Sequence, residues 1–324
     1  MRRIMFVLVF GVSLGLFSQV NPDTLPEKYV KKVIIEAKWG DGPGEFGLDP
    51  LPESYEYTTY FTVGPNGNIY IEDPNNCRIN VYTKTGKFLR EIKIPGELLT
   101  IYGGDTIAPV LTIGVDSEGY LYLAPVSSQV FGFKNDYPSV VKLDKDGKII
   151  DWCIFEGPSV NPHCIYIDEK KDIYLWGNWY ISPLSPYTAA IPVRFGKNTS
   201  ITLKNENIIT ISFEKKKAIK LSRKKIYISS KVNPFTFAIK DSLFVYYTGN
   251  TNFVFQDLRG KVKEKLSIYP RYYPRGYGFS YKGKDNIMVN VLPVFDKDLN
   301  IYWIAGTPEG LKVIKYIINE EVWK

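Results

Sequence analysis

The sequence predicts an all-β fold, a β-propeller of four-stranded antiparallel blades. Three copies of a strand–turn–strand pattern recur at a period of 52 residues, with Tyr70, Tyr122 and Tyr174 at equivalent positions. Each copy is a pair of short alternating apolar runs around a tight turn, which indicates antiparallel strands. A unit that recurs at a fixed period indicates a repeat architecture. A surplus strand before the first repeat and a missing fourth strand in the last one indicate that the repeats close into a ring.

The first copy extends into a complete blade between Trp39 and Arg90. Turn signals at Pro65–Gly67 and Lys84–Gly86 separate its strands. The segments GDGPGEF, NIYIED, RINVYTKTGK and FLREI each resemble the matching piece of the repeat in the NHL-type six-bladed propellers of exported bacterial proteins. This resemblance implies a ring of six blades and a protein that works outside the cytoplasm.

The number of blades is predicted as six, with five as the alternative. Weaker copies of the repeat follow at 237–246 and 294–304, and the turn after the third strand recurs in VYTKTGK, VKLDKDGK, VFQDLRGK and GTPEGLK. Residues 200–231 have the composition of strands but no clear turn signature. They fill the one oversized interval between copies, so we interpret them as a degenerate sixth blade.

The two ends of the chain are predicted to complete one blade together. The last copy lacks a fourth strand, whereas residues 30–38 form a strand that belongs to no complete blade. Because an unpaired edge strand is a liability, we expect Val33–Ala37 to pair with the strand containing Val313–Ile317.

The N-terminus has the pattern of a signal peptide. Arg2 and Arg3 precede an apolar run from Ile4 to Phe17, which is the length of a signal-peptide core and too short for a comfortable membrane span. We therefore expect residues 1–19 to be a signal peptide, residues 20–324 to be one propeller domain, and the protein to be periplasmic or extracellular. No later stretch approaches transmembrane length.

Composition agrees with one large domain and leaves the role of a basic cluster open. The chain has 324 residues, 44% of them hydrophobic and 15% aromatic, and a net charge of +7. Lysines concentrate between Lys215 and Lys225. They are interpreted as a solvated edge that resists aggregation, with binding to an anionic polymer or a membrane surface as the alternative. We expect a monomer without a nucleic-acid partner.

Residues for catalysis or metal binding are scarce in this sequence. The chain has one histidine, His163, and the residues at equivalent positions of the repeat are Thr59 and Leu111, which are poor zinc ligands. We therefore predict no catalytic residues, no metal and no cofactor, and His163 as a channel-lining or satisfied polar residue. Cys77, Cys153 and Cys164 lack the CxxC spacing of a metal or redox site. They are predicted to be buried thiols, with a Cys153–Cys164 bridge as the alternative.

The long loops indicate which face of the propeller recognises a ligand. Turns between strands one and two, and between three and four, are short, whereas the connections at 40–58, 95–109, 124–138, 176–191 and 269–278 are long. Both long types emerge on one face, here called the long-loop face, and elaborated loops on a rigid scaffold usually carry binding. Two of these loops are rich in aromatic rings, which either bind a ligand or pack on one another to plug the channel mouth. The candidate ligand-binding residues are Trp176, Trp179, Tyr180 and Tyr187 in one loop and Arg271, Tyr272, Tyr273 and Arg275 in the other.

Two functional hypotheses follow from the sequence. The first is a non-enzymatic binding protein that recognises a protein, a peptide or a glycan through the long-loop face. The second is a metal-assisted lactonase or lyase that uses the central channel. Propellers host both kinds of activity, so the fold does not decide between them. The scarcity of histidine favours binding.

Overall fold

The computed structural model describes residues 29–47, 56–102, 105–107, 111–125, 139–156, 159–180, 186–195, 199–202, 210–213, 216–221, 224–229, 236–248, 252–267, 288–290, 292–307 and 309–318. In the N-terminal half the strands are β1 (Tyr29–Lys38), β2 (Glu56–Thr58), β3 (Phe61–Val63), β4 (Ile69–Asp73), β5 (Arg78–Tyr82), β6 (Phe88–Lys93), β7 (Thr100–Tyr102), β8 (Asp105–Ile107), β9 (Leu111–Val115), β10 (Leu121–Pro125), β11 (Val140–Leu143), β12 (Ile149–Glu156) and β13 (Ser159–Ile167). They are followed by β14 (Ile173–Tyr180), β15 (Pro186–Val193), β16 (Thr199–Thr202), β17 (Thr210–Phe213), β18 (Lys216–Leu221), β19 (Lys224–Ser229), β20 (Thr236–Lys240), β21 (Leu243–Tyr247), β22 (Asn252–Asp257), β23 (Val262–Ser267), β24 (Met288–Asn290), β25 (Val294–Phe295), β26 (Ile301–Thr307) and β27 (Gly310–Ile318). Two short 3-10 helices span Pro74–Asn76 and Gly96–Leu98.

These strands form a five-bladed antiparallel β-propeller. From the innermost strand outward, the blades are β3-β4-β5-β6, β9-β10-β11-β12, β13-β14-β15, β20-β21-β22-β23 and β25-β26-β27-β1, numbered one to five. Two further pairs lie outside the blades, the parallel pair β2-β24 and the hairpin β7-β8. Among the described residues, no helix is long and apolar enough to cross a membrane. The predicted signal peptide at 1–19 lies outside the described residues.

Apolar side chains between neighbouring blades form the core. Ile79 of blade one lies in the same buried cluster as Ile113 of blade two. Between blades three and four, the rings of Trp176 and Phe237 meet edge to face at 5.1 Å. Phe253 of blade four contacts Trp303 of blade five in the same way at 5.8 Å. Inner strands such as β4, β5 and β9 are thus buried on both faces, which suits the large side chains of Tyr and Phe.

The predicted closure of the ring is confirmed. Strand β1 forms the outer strand of blade five by pairing with β27, and the register opposes Val33 to Ile314, Ile35 to Val313 and Ala37 to Leu311. The turn between β5 and β6 then packs against β1. At Gly86 in this turn, where φ is +89°, an added Cβ would lie 1.5 Å from the carbonyl oxygen of Ile34.

The segment Trp39–Gly47, which follows β1, acts as a clasp between blade five and blade one. Its centre is Arg78, a 7% exposed residue at the start of β5. The guanidinium donates to the carbonyl oxygens of Asp41, Gly42 and Glu45 at 2.8–3.0 Å. It also pairs with the carboxylate of Asp73 at 2.9 Å. Carbonyl groups of an irregular loop need hydrogen-bond donors when they are shielded from water, and the Arg78 side chain donates to three such groups.

Side chains of blade one hold the rest of this clasp. Asn76 donates to the carbonyl oxygen of Gly40 at 2.9 Å, and the Tyr82 hydroxyl donates to that of Gly44 at 2.7 Å. At the other end the Trp39 indole donates to the carbonyl oxygen of Thr307 in blade five at 2.8 Å. The GDGPGEF motif, part of the basis for the NHL resemblance, therefore has a structural role in this chain.

The predicted sixth blade at residues 200–231 is wrong. Strand β16 instead extends blade two, where it runs parallel to the outer strand β12 with Cys153 opposite Thr199. Strands β17–β19 form a separate three-stranded sheet. The lysine cluster lies mainly in the β18–β19 hairpin, and the register there opposes Lys220 to Lys225. The segment has the composition of strands, as expected, but its hydrogen bonds do not build a radial four-stranded unit.

Candidate functional site

The central channel holds a cavity of about 460 Å³. Its lining comes from the innermost strands of all five blades, for example Thr62, Ile113, Ile165, Ala238 and Val294. It also includes residues at or next to the tight turns that follow these strands, at 64–65, 116–117, 168–169, 171, 240–241 and 296–297. The cavity therefore reaches the face opposite the long loops, here called the short-turn face. A volume of this size is typical of small-molecule sites, which range over about 300–1,000 Å³.

The walls of this cavity are mainly apolar and aromatic. Tyr166 is half-buried on β13, and its ring lies 5.2 Å from that of Phe237 on β20. Ile167, Ile239 and Phe295 are half-buried members of the same lining. Burial raises the pKa of the Tyr166 hydroxyl, and the nearby carboxylates of Asp168 and Glu169 raise it further. The ring therefore stays neutral at physiological pH.

His163 lines the cavity, as predicted, and is 8% exposed. It is the fifth residue of β13, which begins at Ser159. Among the described residues, no group of three or more His, Cys, Asp or Glu side chains is arranged to hold a metal ion.

The cysteines are free thiols, so the Cys153–Cys164 bridge does not form. Cys153 is fully buried in the cluster between blades two and three. Burial raises the pKa of Cys153 and of Cys164 to about 12. Since the thiolate is the nucleophile, neither group is activated for covalent chemistry.

A buried carboxyl group joins blades one and two beside the channel. Glu72 on β4 has no exposed surface, and its Oε1 accepts a hydrogen bond from the backbone N–H of Leu111 at 2.8 Å. Its Oε2 lies 3.4 Å from the backbone nitrogen of Tyr60, which lines the cavity. Loss of solvation raises the pKa of Glu72 well above its ordinary range, and the neighbouring Asp73 charge adds to the effect.

Glu72→Gln is expected to stabilise the protein increasingly as the pH rises. Unfolded Glu ionises near pH 4.3, roughly, whereas the folded carboxyl keeps its proton to higher pH. The folded state thus binds more protons between these two pKa values, so wild-type stability falls with rising pH in that window. The variant lacks this loss, and its advantage should grow by up to about 1 kcal/mol per pH unit.

Urea unfolding at a series of pH values between about 4 and 8 measures this difference. Glu36→Gln, at a side chain that is 66% exposed, controls for the general effect of removing a carboxylate. A difference between wild type and Glu72→Gln that stays constant over the series contradicts the assignment.

Aspartates cap the turns at the cavity mouth. In blade two, Oδ1 of Asp116 accepts from the backbone N–H groups of Glu118 and Tyr120 at 2.9 and 3.0 Å. Asp168 in blade three and Asp296 in blade five repeat this pattern. These three aspartates therefore stabilise their own tight turns.

Ion pairs connect neighbouring turns around the mouth. The Lys171 ammonium of blade three pairs with the Glu118 carboxylate of blade two. Lys240 of blade four lies 3.6 Å from Asp298 of blade five. Lys171 has a φ of +65° at the turn position that Gly67 and Gly119 occupy in blades one and two, so it adopts a backbone conformation that is unusual for a residue other than glycine. The same residue forms the ion pair with Glu118.

The first predicted aromatic loop is largely a strand. Strand β14 continues to Tyr180 and β15 begins at Pro186, so only 181–185 remain outside the described residues between them. Trp176 is 1% exposed and belongs to the core between blades three and four. Trp179, Tyr180 and Tyr187 lie in strands, and the register opposes Trp179 to both Val160 and Tyr187. The loop prediction was wrong here because hydrogen bonding to β13 and β15 continues beyond the usual strand length.

The second predicted aromatic loop, with Arg271, Tyr272, Tyr273 and Arg275, lies outside the described residues. Sequence reasoning also missed the cavity mouth on the short-turn face. A usable signal was present, because Tyr122 follows Asp116 and Tyr302 follows Asp296 at the same interval. Each hydroxyl donates to Oδ2 of its aspartate at 2.9 or 3.0 Å.

Comparison with known proteins adds a structural likeness. No family model matches the chain, and no curated protein matches it. A streptogramin B lyase structure is 14% identical with a TM-score of 0.42, covering 90% of this chain and 98% of its own. Virginiamycin B lyase from Staphylococcus aureus is 10% identical with a TM-score of 0.41, covering 90% and 99%. Kuenenia stuttgartiensis hydrazine synthase is 10% identical with a TM-score of 0.43, covering 87% and 99%.

Likeness at this level of identity and superposition carries no argument about activity. The resemblance of the sequence to NHL-type propellers stays a prediction. The fold itself rests on the strand pairing described above, which makes this chain an all-β protein with the architecture of a five-bladed propeller.

Proposed function

We propose that this chain is an exported binding protein that recognises a protein, a peptide or a glycan through the long-loop face. The observation that carries the proposal is the extension of blade three. Its strands β13, β14 and β15 have nine, eight and eight residues, whereas β9 and β10 of blade two have five each. Beyond the usual length, Asn178–Tyr180 pair with Ser159–Asn161 on one side and Pro186–Thr188 on the other.

This extension provides a rigid platform on the long-loop face. A three-stranded sheet fixes its backbone by hydrogen bonds, so less conformational entropy is lost on binding than from a free loop. Trp179 and Tyr187 occupy adjacent cross-strand positions in it. Trp and Tyr are the residue types that most often dominate binding interfaces, and their faces also suit stacking on sugars.

The second aromatic segment supplies the charged part of the proposed surface. Its sequence, YPRYYPRGYG, interleaves Arg271 and Arg275 with tyrosines and prolines. An arginine fork binds a carboxylate or a sulfate through two parallel hydrogen bonds, so an acidic peptide or an acidic glycan fits this composition. Export is proposed from the basic and apolar pattern of residues 1–19, and N-terminal sequencing of the secreted protein tests it.

Trp179→Ala and Tyr273→Ala are each expected to weaken ligand binding by about 1–3 kcal/mol. We expect folding to be little affected, because the proposal assigns both side chains to ligand recognition rather than to packing between blades. A glycan array and a pull-down from an extracytoplasmic extract supply the ligand, and titration of wild type and variants then measures the affinity.

Glu118→Ala is the matched control on the opposite face, at a side chain that is 54% exposed. It should leave the affinity unchanged. Binding that survives both aromatic substitutions but is lost in Glu118→Ala would reverse the assignment of the face and remove the proposal.

A further inference from the structure

We propose that the mouth of the channel on the short-turn face is a second ligand site, which takes a small organic ammonium ion with an apolar body. This site lies opposite the long-loop face and does not depend on the function proposed above. Three features of the described residues support it: the cavity walls, the charge around the mouth, and the hydrogen bonding of Asp168.

The walls suit the hydrocarbon part of such a ligand. Val63, Ile167, Ile239 and Phe295 come from four different blades and are all half-buried members of the lining. Apolar surface left partly open inside a cavity gains free energy when a ligand displaces water from it. The ring of Tyr166 adds an aromatic face, and such faces attract ammonium groups within about 6 Å.

The charge at the mouth is opposite in sign to that of the chain. The lining includes five carboxylates, of Asp116, Asp168, Glu169, Asp241 and Asp296, against three ammonium groups, of Lys171, Lys240 and Lys297. Outside the lining, two acids pair with these lysines, Glu118 with Lys171 and Asp298 with Lys240, and one base, Lys315, pairs with Asp296. The mouth therefore has an excess of negative charge in a chain whose net charge is +7. A charged cleft with low-dielectric walls concentrates ions of the opposite sign.

Asp168 differs from its equivalents in the hydrogen bonding of Oδ2, although Tyr174 follows it at the same interval as the tyrosines of blades two and five. In blades two and five, Oδ2 of Asp116 and Oδ2 of Asp296 accept from tyrosine hydroxyls. In blade three, Oδ2 of Asp168 is shielded from water and receives no hydrogen bond from any described residue. Such an oxygen is costly in a site of low dielectric, and an ammonium ion that binds at the mouth can supply the donor.

The occupant is an organic cation rather than a metal ion because of the composition of the lining. Around the cavity, the carboxylate Oδ1 atoms of Asp116, Asp168 and Asp296 are committed to backbone N–H groups of their own turns. Hard divalent ions require several oxygen ligands at once, whereas an alkylammonium needs one or two acceptors and an apolar wall.

Isothermal titration of the full chain with three isosteric probes tests the proposal. The probes are 4-phenylbutylammonium, 4-phenylbutanol and 4-phenylbutyrate, which share one apolar body and differ in charge. We expect the ammonium to bind at least about tenfold more tightly than the alcohol, and the carboxylate to bind most weakly. Raising the salt concentration should weaken the ammonium alone, because the attraction to the mouth is electrostatic.

Two matched variants locate the site. Asp168→Asn retains an oxygen that can accept from the turn N–H groups and should lower ammonium affinity at least about tenfold. Asp144→Asn makes the same change at an identical turn, where Oδ1 accepts from Asp146 and Lys148 at 2.9 Å, and should have no effect because Asp144 does not line the cavity. Ala238→Phe fills the cavity without altering either turn and should abolish binding of all three probes.

Each remaining outcome overturns the proposal. Equal affinity for the three probes rejects the role of charge, and equal loss in Asp144→Asn rejects the location. Failure of every probe to bind at millimolar concentration rejects the site itself. If Asp168→Asn unfolds, retained binding in Ala238→Phe still contradicts the proposal.

Discussion

Deletion of residues 30–38 is expected to lower the melting temperature by at least about 10 °C, which corresponds to about 3–5 kcal/mol for a domain of this size. The deletion removes the outer strand of blade five, whose partner β27 then becomes an exposed edge. It also removes Ile35, which is 2% exposed and belongs to the cluster shared by blades one, four and five. Differential scanning calorimetry of the purified protein measures the change. An unaltered melting temperature contradicts the role of β1 in closure.

A single substitution tests the same closure without removing any chain. Gly86→Ala places a methyl group against the Ile34 carbonyl of β1 and should force that strand away from the β5–β6 turn. Gly119→Ala has the same positive φ, +88°, but an added Cβ there meets nothing within 4 Å. Backbone strain of about 1–2 kcal/mol is common to both variants, so the additional loss in Gly86→Ala reports the contact with β1. Equal losses would contradict this contact.

Arg78→Ala is expected to destabilise the protein by about 3–5 kcal/mol. The substitution leaves the Asp73 carboxylate, which has no exposed surface, without its cationic partner. It also leaves the carbonyl oxygens of Asp41, Gly42 and Glu45 without their guanidinium donor. Each buried polar group that loses its partner adds its own desolvation cost, about 1–3 kcal/mol. Urea unfolding monitored by tryptophan fluorescence measures the loss.

Two further variants separate the hydrogen-bonding role of Arg78 from its charge. Arg78→Lys keeps the charge but cannot reach three carbonyl groups from one fixed fork, so it should recover only part of the stability. Arg90→Ala removes a 41% exposed arginine whose partner Asp146 is 3.8 Å away, and the expected loss is below about 1 kcal/mol. Similar losses for Arg78→Ala and Arg90→Ala would show that the clasp does not depend on the buried guanidinium.

Much of the fold was predictable from sequence because local signals and packing agree in the first three blades. The spacing of Tyr70, Tyr122 and Tyr174 reflects one strand position in three successive blades. The closure was predictable for a different reason. Residues 30–38 form a strand that belongs to no other blade, and the C-terminal blade lacks a fourth strand. Pairing of β1 with β27 satisfies both.

The remaining features depend on long-range pairing that composition does not reveal. Strand β16 has the residues of a blade strand, but its partner is β12 of an earlier blade. Trp176 lies in a sequence rich in Gly, Pro and Ser, yet it is buried because Phe237 of the next blade packs against it. The cavity mouth was hidden because its aspartates are also turn residues, and only the structure shows that the turns of five blades converge there.

The closure by β1 has a consequence for the order of events during biosynthesis. Trp39 bonds to Thr307, which is 268 residues later in the chain. During synthesis β1 therefore emerges long before β27, the strand with which it pairs in blade five. Synthesis proceeds at about 5–20 residues per second, and a domain generally folds as a unit. Blade five can therefore form only after the 268 residues that follow Trp39, up to Thr307, have emerged, and until then β1 presents an unpaired edge to chaperones and proteases.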